Sequence, residues 1–109
     1  MNIEYKTVGK HTVMMVDGEL NLYNNNLFKK AILSKIDDPE CKSLVIDLQK
    51  VKHMDSTAIG ALVVGKKKMS SHNGNFGLIN IPDYLASIIG LVQLDSFFTV
   101  YKSMSDLVE

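Results

Sequence analysis

The stretch Ser43-Leu44-Val45-Ile46-Asp47-Leu48, followed shortly by Met54-Asp55-Ser56-Thr57-Ala58-Ile59-Gly60, decides how this chain is read. The first part is a short apolar run rich in β-branched residues, the pattern of a buried strand. The second opens a helix that extends from Ser56 to about Ser71. A serine at such a handover is presented to solvent. Asp55 or Ser56 is then the N-cap, with a side-chain oxygen that accepts from an otherwise unpaired backbone N–H of the first turn. A phosphoryl group on Ser56 would lie against those N–H groups and the positive end of the helix dipole, which favours negative charge by about 0.3–1 kcal/mol at an exposed site. The plain alternative is a capped helix start with no chemistry, because Ser, Thr and Asp are common caps.

Working outward, residues 3–8 and 12–16 form two β-type runs separated by Gly9-Lys10-His11, which predicts an N-terminal hairpin. Asp17-Gly18-Glu19-Leu20-Asn21 reads as a loop. Residues 22–36 carry Leu27, Phe28, Ala31, Ile32 and Ile36 near helical spacing, and this amphipathic helix ends before Asp37-Asp38-Pro39. Beyond the Ser56 helix, Asn73-Gly74-Asn75 is a helix stop. Residues 76–79 are a further strand. Pro82 suits the first turn of a helix running through Leu85, Ile88, Ile89 and Leu91. A last strand at 98–101 and a short tail helix from Ser103 complete the order ββαβαβαβα. The expected fold is α/β: one domain over residues 1–109, a single mixed sheet with an N-terminal hairpin and alternating βα units, packed with about four α-helices.

A chain of 109 residues can bury one core and is too short for two. With 46% hydrophobic and 22% charged residues it has the composition of an ordinary soluble domain. Its 12 lysines balance 12 acidic residues, and it has no arginine. Neither nucleic acid nor an anionic membrane is therefore an expected partner, since no net field attracts them and the bidentate guanidinium is missing. The lone Cys41 fits a reducing compartment, and no signal peptide or membrane-length apolar run occurs, so a cytoplasmic protein is expected. His11, His53, His72 and Cys41 lack metal-ligand spacing, and no Gly-rich phosphate loop is present. No metal or cofactor is expected. His53, Asp55 and Ser56 are too close in sequence for a nucleophile with its base, and the Gly-x-Ser-x-Gly elbow is absent, which argues against a hydrolase.

Essentially the whole chain resembles a STAS domain, the module shared by bacterial anti-sigma factor antagonists and the cytoplasmic ends of sulfate transporters. The resemblance lies in Gly18-Glu19-Leu20-Asn21, in Val45-Ile46-Asp47-Leu48, above all in the run from Met54 to Gly60, and in the late segment Gly90-Leu91-Val92-Gln93-Leu94-Asp95 with Phe98 and Val100. It implies an anti-sigma factor antagonist, a regulator and not an enzyme. Such a protein, when unphosphorylated, binds an anti-sigma factor serine kinase and so releases a sigma factor. Phosphorylation at Ser56, with Thr57 the lesser candidate, would end that binding, and a metal-dependent serine phosphatase would reset it. An alternative is a non-switching STAS scaffold, or an accessory subunit of a sensory assembly or ABC transporter. Two departures from the family pattern stand out: Asn21 where Asp is usual, and Ala58 where Gly is common.

On a helical wheel Ala58, Ile59, Leu62, Gly65 and Met69 face the sheet, while Gly60, Val64, Lys67 and Ser71 face out. Together with the resemblance this gives an expected partner surface of Asn21, Asp55, Ser56, Thr57, Gly60, Ala61, Val64 and Lys67. The run Lys66-Lys67-Lys68 points in three directions and reads mainly as a solvated face.

Overall fold

The chain opens on a hairpin, β1 (Asn2–Val8) and β2 (His11–Leu20), paired antiparallel from Asn2↔Asp17 to Val8↔His11 in a computed structural model that describes residues 1–91 and 96–108. Gly9, at φ 57°, takes the turn position that a side chain would strain. β2 runs on through Asp17-Gly18-Glu19-Leu20, expected to be a loop, because β3 (Ser43–Met54) supplies backbone partners there: Asp17 pairs with Lys50, Gly18 with Val51, Glu19 with His53 and Leu20 with Met54. Register shifts between Met15 and Asp17 and between Gly18 and Glu19 break the alternation, and Gly18 sits at φ 121°. β3 likewise continues well past Leu48.

α1 begins at Asn25 and ends at Ile36, later than the expected start at residue 22. The reason is a turn centred on Asn21. Its side-chain Oδ1 accepts from Tyr23 N, and its carbonyl accepts from the backbone N–H groups of Asn24 and Asn25. Leu22 and Tyr23 are therefore left 78% and 92% exposed, and Leu27 faces outward as well. α2 spans Ser56–Ser71, as its sequence predicts, and stops in a Schellman arrangement. Gly74 N donates to Met69 O, Asn73 N to Ser70 O, and Asn73 holds φ 58°.

β4 (Asn75–Ile79), α3 (Asp83–Leu91) and β5 (Thr99–Tyr101) follow, with Pro82 just ahead of α3 accepting from Leu85 N and Ala86 N. The tail expected to be a fourth helix is a single 3₁₀ turn, Met104–Leu107, held by a Ser103/Asp106 capping box; the described residues hold three α-helices. Residues 92–95 of the late segment quoted above lie outside the described residues.

The five strands lie in sequence order, β1-β2-β3-β4-β5, with β1 antiparallel and the others parallel. Right-handed crossovers that always advance in one direction place their helices on one face of the sheet. That face holds the main core, where Met14, Leu20, Leu44, Ile46, Phe76 and Leu78 meet Phe28, Ile32, Leu62 and Met69. The opposite face carries a smaller cluster of Val13, Val45 and Ile79 under Leu107 of the 3₁₀ turn.

α1 and α2 approach closely at Gly65, where a Cβ would come within 2.8 Å of both Ile32 Cγ2 and Phe76 Cε2. Neither neighbour is the free end of a flexible chain. Gly65→Ala is therefore expected to destabilise the fold by about 1–3 kcal/mol through overpacking, outweighing the gain in helix propensity, as read by urea unfolding.

Candidate functional site

The parallel strands β2 and β3 end side by side, and the loops that leave them meet. Leu20 pairs with Met54, and Asp55 N donates to Leu20 O at 3.3 Å, so the Asn21 turn lies beside the start of α2. Asp55 is the N-cap of α2. It holds an extended backbone (φ −88°, ψ 177°), and its Oδ1 accepts from Ala58 N at 3.0 Å. The same carboxylate accepts from Asn25 Nδ2 of α1, at 3.2 Å through Oδ1 and 3.4 Å through Oδ2. The hydrogen bond from Ala58 N is the leading cause that holds the Asp55 carboxyl below its usual range, with Asn25, Thr57 N and the nearby His53 acting in the same direction.

Ser56 is the first residue of α2 and is exposed, as is Thr57. No acidic side chain occupies the first turn of the helix, so its N-terminal field is uncompensated beyond the cap. Beside it α1 and α2 enclose a groove of about 320 Å³ lined by Asn25, Asn26, Lys29, Thr57, Gly60, Ala61 and Val64. A Cβ at Gly60 would meet nothing within 4 Å, so this helix surface is open to close approach.

Of the residues named from sequence, Asp55, Ser56, Thr57, Gly60, Ala61 and Val64 come together here. Ala61 contributes as groove floor: it is buried, in contact with the core, and not on the outer face. Lys67 is exposed further along α2, away from the groove lining, while its neighbour Lys68 lies 3.6 Å from Asp37 in a surface ion pair. Asn21 is adjacent through its loop, yet its side chain is taken up by the turn. Sequence reasoning missed Asn25, Asn26 and Lys29 of α1, and the exposure of Leu22 and Tyr23 in the turn that precedes it. An apolar pair inside the Asn-rich run Asn21–Asn26 was the available signal, because such a run favours a turn and leaves its apolar residues out. Asn25 is itself buried, and its Oδ1 has no hydrogen-bond partner among the described residues.

Among the described residues no three His, Cys, Asp or Glu side chains gather as metal ligands, and no helix is long and apolar enough to cross a membrane. The Asp55 carboxylate accepts from Ala58 and Asn25, an arrangement that serves to build a helix start.

The STAS domain family model matches residues 2–107, and the chain belongs to that family. A candidate anti-sigma factor antagonist of Thermotoga maritima is 29% identical over 105 residues, covering 96% of this chain and 93% of that protein. Its crystal structure superimposes with a TM-score of 0.87 over 95% of this chain and 89% of that one. The anti-sigma-B factor antagonist of Staphylococcus aureus is 23% identical over 100 residues, 92% of each chain. The anti-sigma factor antagonist SpoIIAA, at 14% identity, shares the fold in its unphosphorylated form (TM-score 0.74, covering 96% of this chain and 92% of that one). The phosphorylated Bacillus SpoIIAA gives 0.75, covering 97% and 96%.

A cap carboxylate with a depressed pKa adds stability above the ordinary carboxylate range, and that contribution is lost as pH falls through the depressed value. Asp55→Ala is expected to be less stable than wild type at neutral pH, with the two urea-unfolding curves converging in strong acid. A gap that persisted unchanged into strong acid would mean that the carboxylate charge is not what holds the start of α2.

Proposed function

We propose that this chain is an anti-sigma factor antagonist whose partner binding is switched by phosphorylation of Ser56. The observation that carries the reading is the placement of Ser56. Ser56 is exposed at the first residue of α2, next to Thr57 of the α1–α2 groove, while the neighbouring Asp55 carboxylate is already engaged with Ala58 and Asn25. Relatives named as anti-sigma factor antagonists across nearly the whole chain support the class of function.

In this reading an anti-sigma factor serine kinase covers Ser56, Thr57, Gly60 and Val64 and thereby releases its sigma factor. The kinase holds the ATP. It transfers the γ-phosphoryl group to the Ser56 oxygen, the hydroxyl proton leaves, and ADP remains on the kinase. The product carries about −1.5 to −2 charges beside the Asp55 carboxylate, at a point the partner must desolvate. The backbone N–H groups of the α2 start can accommodate that charge, so the fold persists while the interface weakens. A metal-dependent serine phosphatase, hydrolysing the phosphoserine, restores the binding form. Thr57 lines the groove and is the second hydroxyl within reach.

The test is binding of the purified kinase-fold partner to Ser56→Ala and Ser56→Asp proteins, with the phosphosite mapped by mass spectrometry after incubation with ATP. Ser56→Ala should stay bound in the presence of ATP, Ser56→Asp should not bind, and Thr57→Ala should still be phosphorylated. A partner retained equally by wild type and Ser56→Asp, with Ser56 never modified, would overturn the switch and favour a static scaffold. As a probe of the surface, Gly60→Leu should abolish docking while leaving the urea midpoint no lower, because the site is open and any residue other than proline improves a mid-helix glycine, by up to about 1 kcal/mol.

A further inference from the structure

We propose that the outer edge of β1 pairs with the same edge of a second copy of this chain, antiparallel about a twofold axis at Tyr5, to make one continuous sheet. The inference is separate from the partner docking above. β1 (Asn2–Val8) is a terminal strand of the sheet, and no described strand pairs with its outer side. Its seven residues are long for an unprotected edge, which exposes a row of backbone donors and acceptors.

The hairpin register decides which groups point outward. A two-residue turn closes on a hydrogen-bonded pair, here Val8 and His11, and pairs then alternate along an antiparallel ladder. Val8, Lys6, Glu4 and Asn2 therefore direct their N–H and C=O groups toward β2, while Thr7, Tyr5 and Ile3 direct theirs outward. Two β1 strands related by a twofold at Tyr5 bring each Tyr5 opposite its counterpart and Ile3 opposite Thr7, with outward groups facing outward groups.

The side chains agree with that register. Glu4 falls opposite Lys6 of the second copy and Lys6 opposite its Glu4, in the closer, non-hydrogen-bonded positions where cross-strand charges interact most. Both are exposed. A single edge lysine discourages pairing with most strands; a lysine with a glutamate two residues away admits a strand bearing the opposite charges in matching order, which is β1 reversed. On the other face Tyr5 is 44% exposed with the Lys35 ammonium 4.7 Å from its ring centroid, and the twofold would bring the two rings together. Ser56 follows β3, two strands in from this edge, so both copies keep their α1–α2 grooves open.

Sedimentation velocity over a concentration series reaching the millimolar range tests the proposal, with amide hydrogen exchange as the local readout. Wild type should dimerise, and the amides of Ile3, Tyr5 and Thr7 should become more protected as concentration rises. Glu4→Lys, placing Lys opposite Lys, should weaken the dimer about tenfold or more. The double variant Glu4→Lys/Lys6→Glu restores opposite charges in the same register and should recover it. A monomer throughout, a dimer indifferent to Glu4→Lys, or a folded double variant that fails to recover would overturn the proposal. So would β1 amides protected only when a different protein is added.

Discussion

The central strand β3 cannot stand without neighbours on both edges and cover on both faces, and the architecture follows from meeting that need. From Ser43 to Leu48 every residue is buried, and the backbone groups of such a segment must all be paired within the protein. β2 and β4 supply the pairing, both parallel to β3. Parallel neighbours require crossovers, and the crossovers are α1 and α2. Because the strands run the same way, the loops that follow β2 and β3 leave from the same end of the sheet. The candidate site is built at that end from segments far apart in the chain.

There the Asp55 carboxylate joins the two loops. It closes the first turn of α2 through Ala58 N and takes a hydrogen bond from Asn25 of α1, so the helix start is held from two sides. Ser56 next to it needs no role in holding the fold, which leaves its hydroxyl exposed on a rigid frame. In the proposed reading, phosphorylation of Ser56 acts on what binds to the surface and not on the fold.

The two faces of the sheet divide the remaining work. The helix side holds the main core and the α1–α2 groove. The other side is thinly covered, and its apolar cluster is small. Beside that cluster a polar chain crosses the sheet: His11 Nδ1 lies 2.6 Å from Ser43 Oγ, and Asn75 Nδ2 donates to Ser43 Oγ and to the Tyr101 hydroxyl, each at 2.9 Å. These contacts tie β2, β3, β4 and β5 together at the end of the sheet opposite Ser56. Buried polar groups of this sort are tolerable because they satisfy one another.

The sequence alone determined the handover from β3 to α2, the Ser56–Ser71 extent of α2 and the alternation of strands and helices. These rest on local signals: a β-branched apolar run, a cap residue, a helical stripe and an Asn-Gly stop. What it could not reveal depends on partners distant in the chain. Asp17 and Glu19 are polar and exposed, so only the pairing of their backbones with Lys50 and His53 makes that stretch a strand. The Asn21 turn delays α1 by using hydrogen bonds that periodicity does not register. Asn25 and Lys29 line one groove with Thr57 and Gly60 because α1 and α2 pack closely, at a crossing where Gly65 leaves no room for a side chain. The segment from Ser103 settles as one 3₁₀ turn against Val13, Val45 and Ile79, where tertiary packing of Leu107 decides its form.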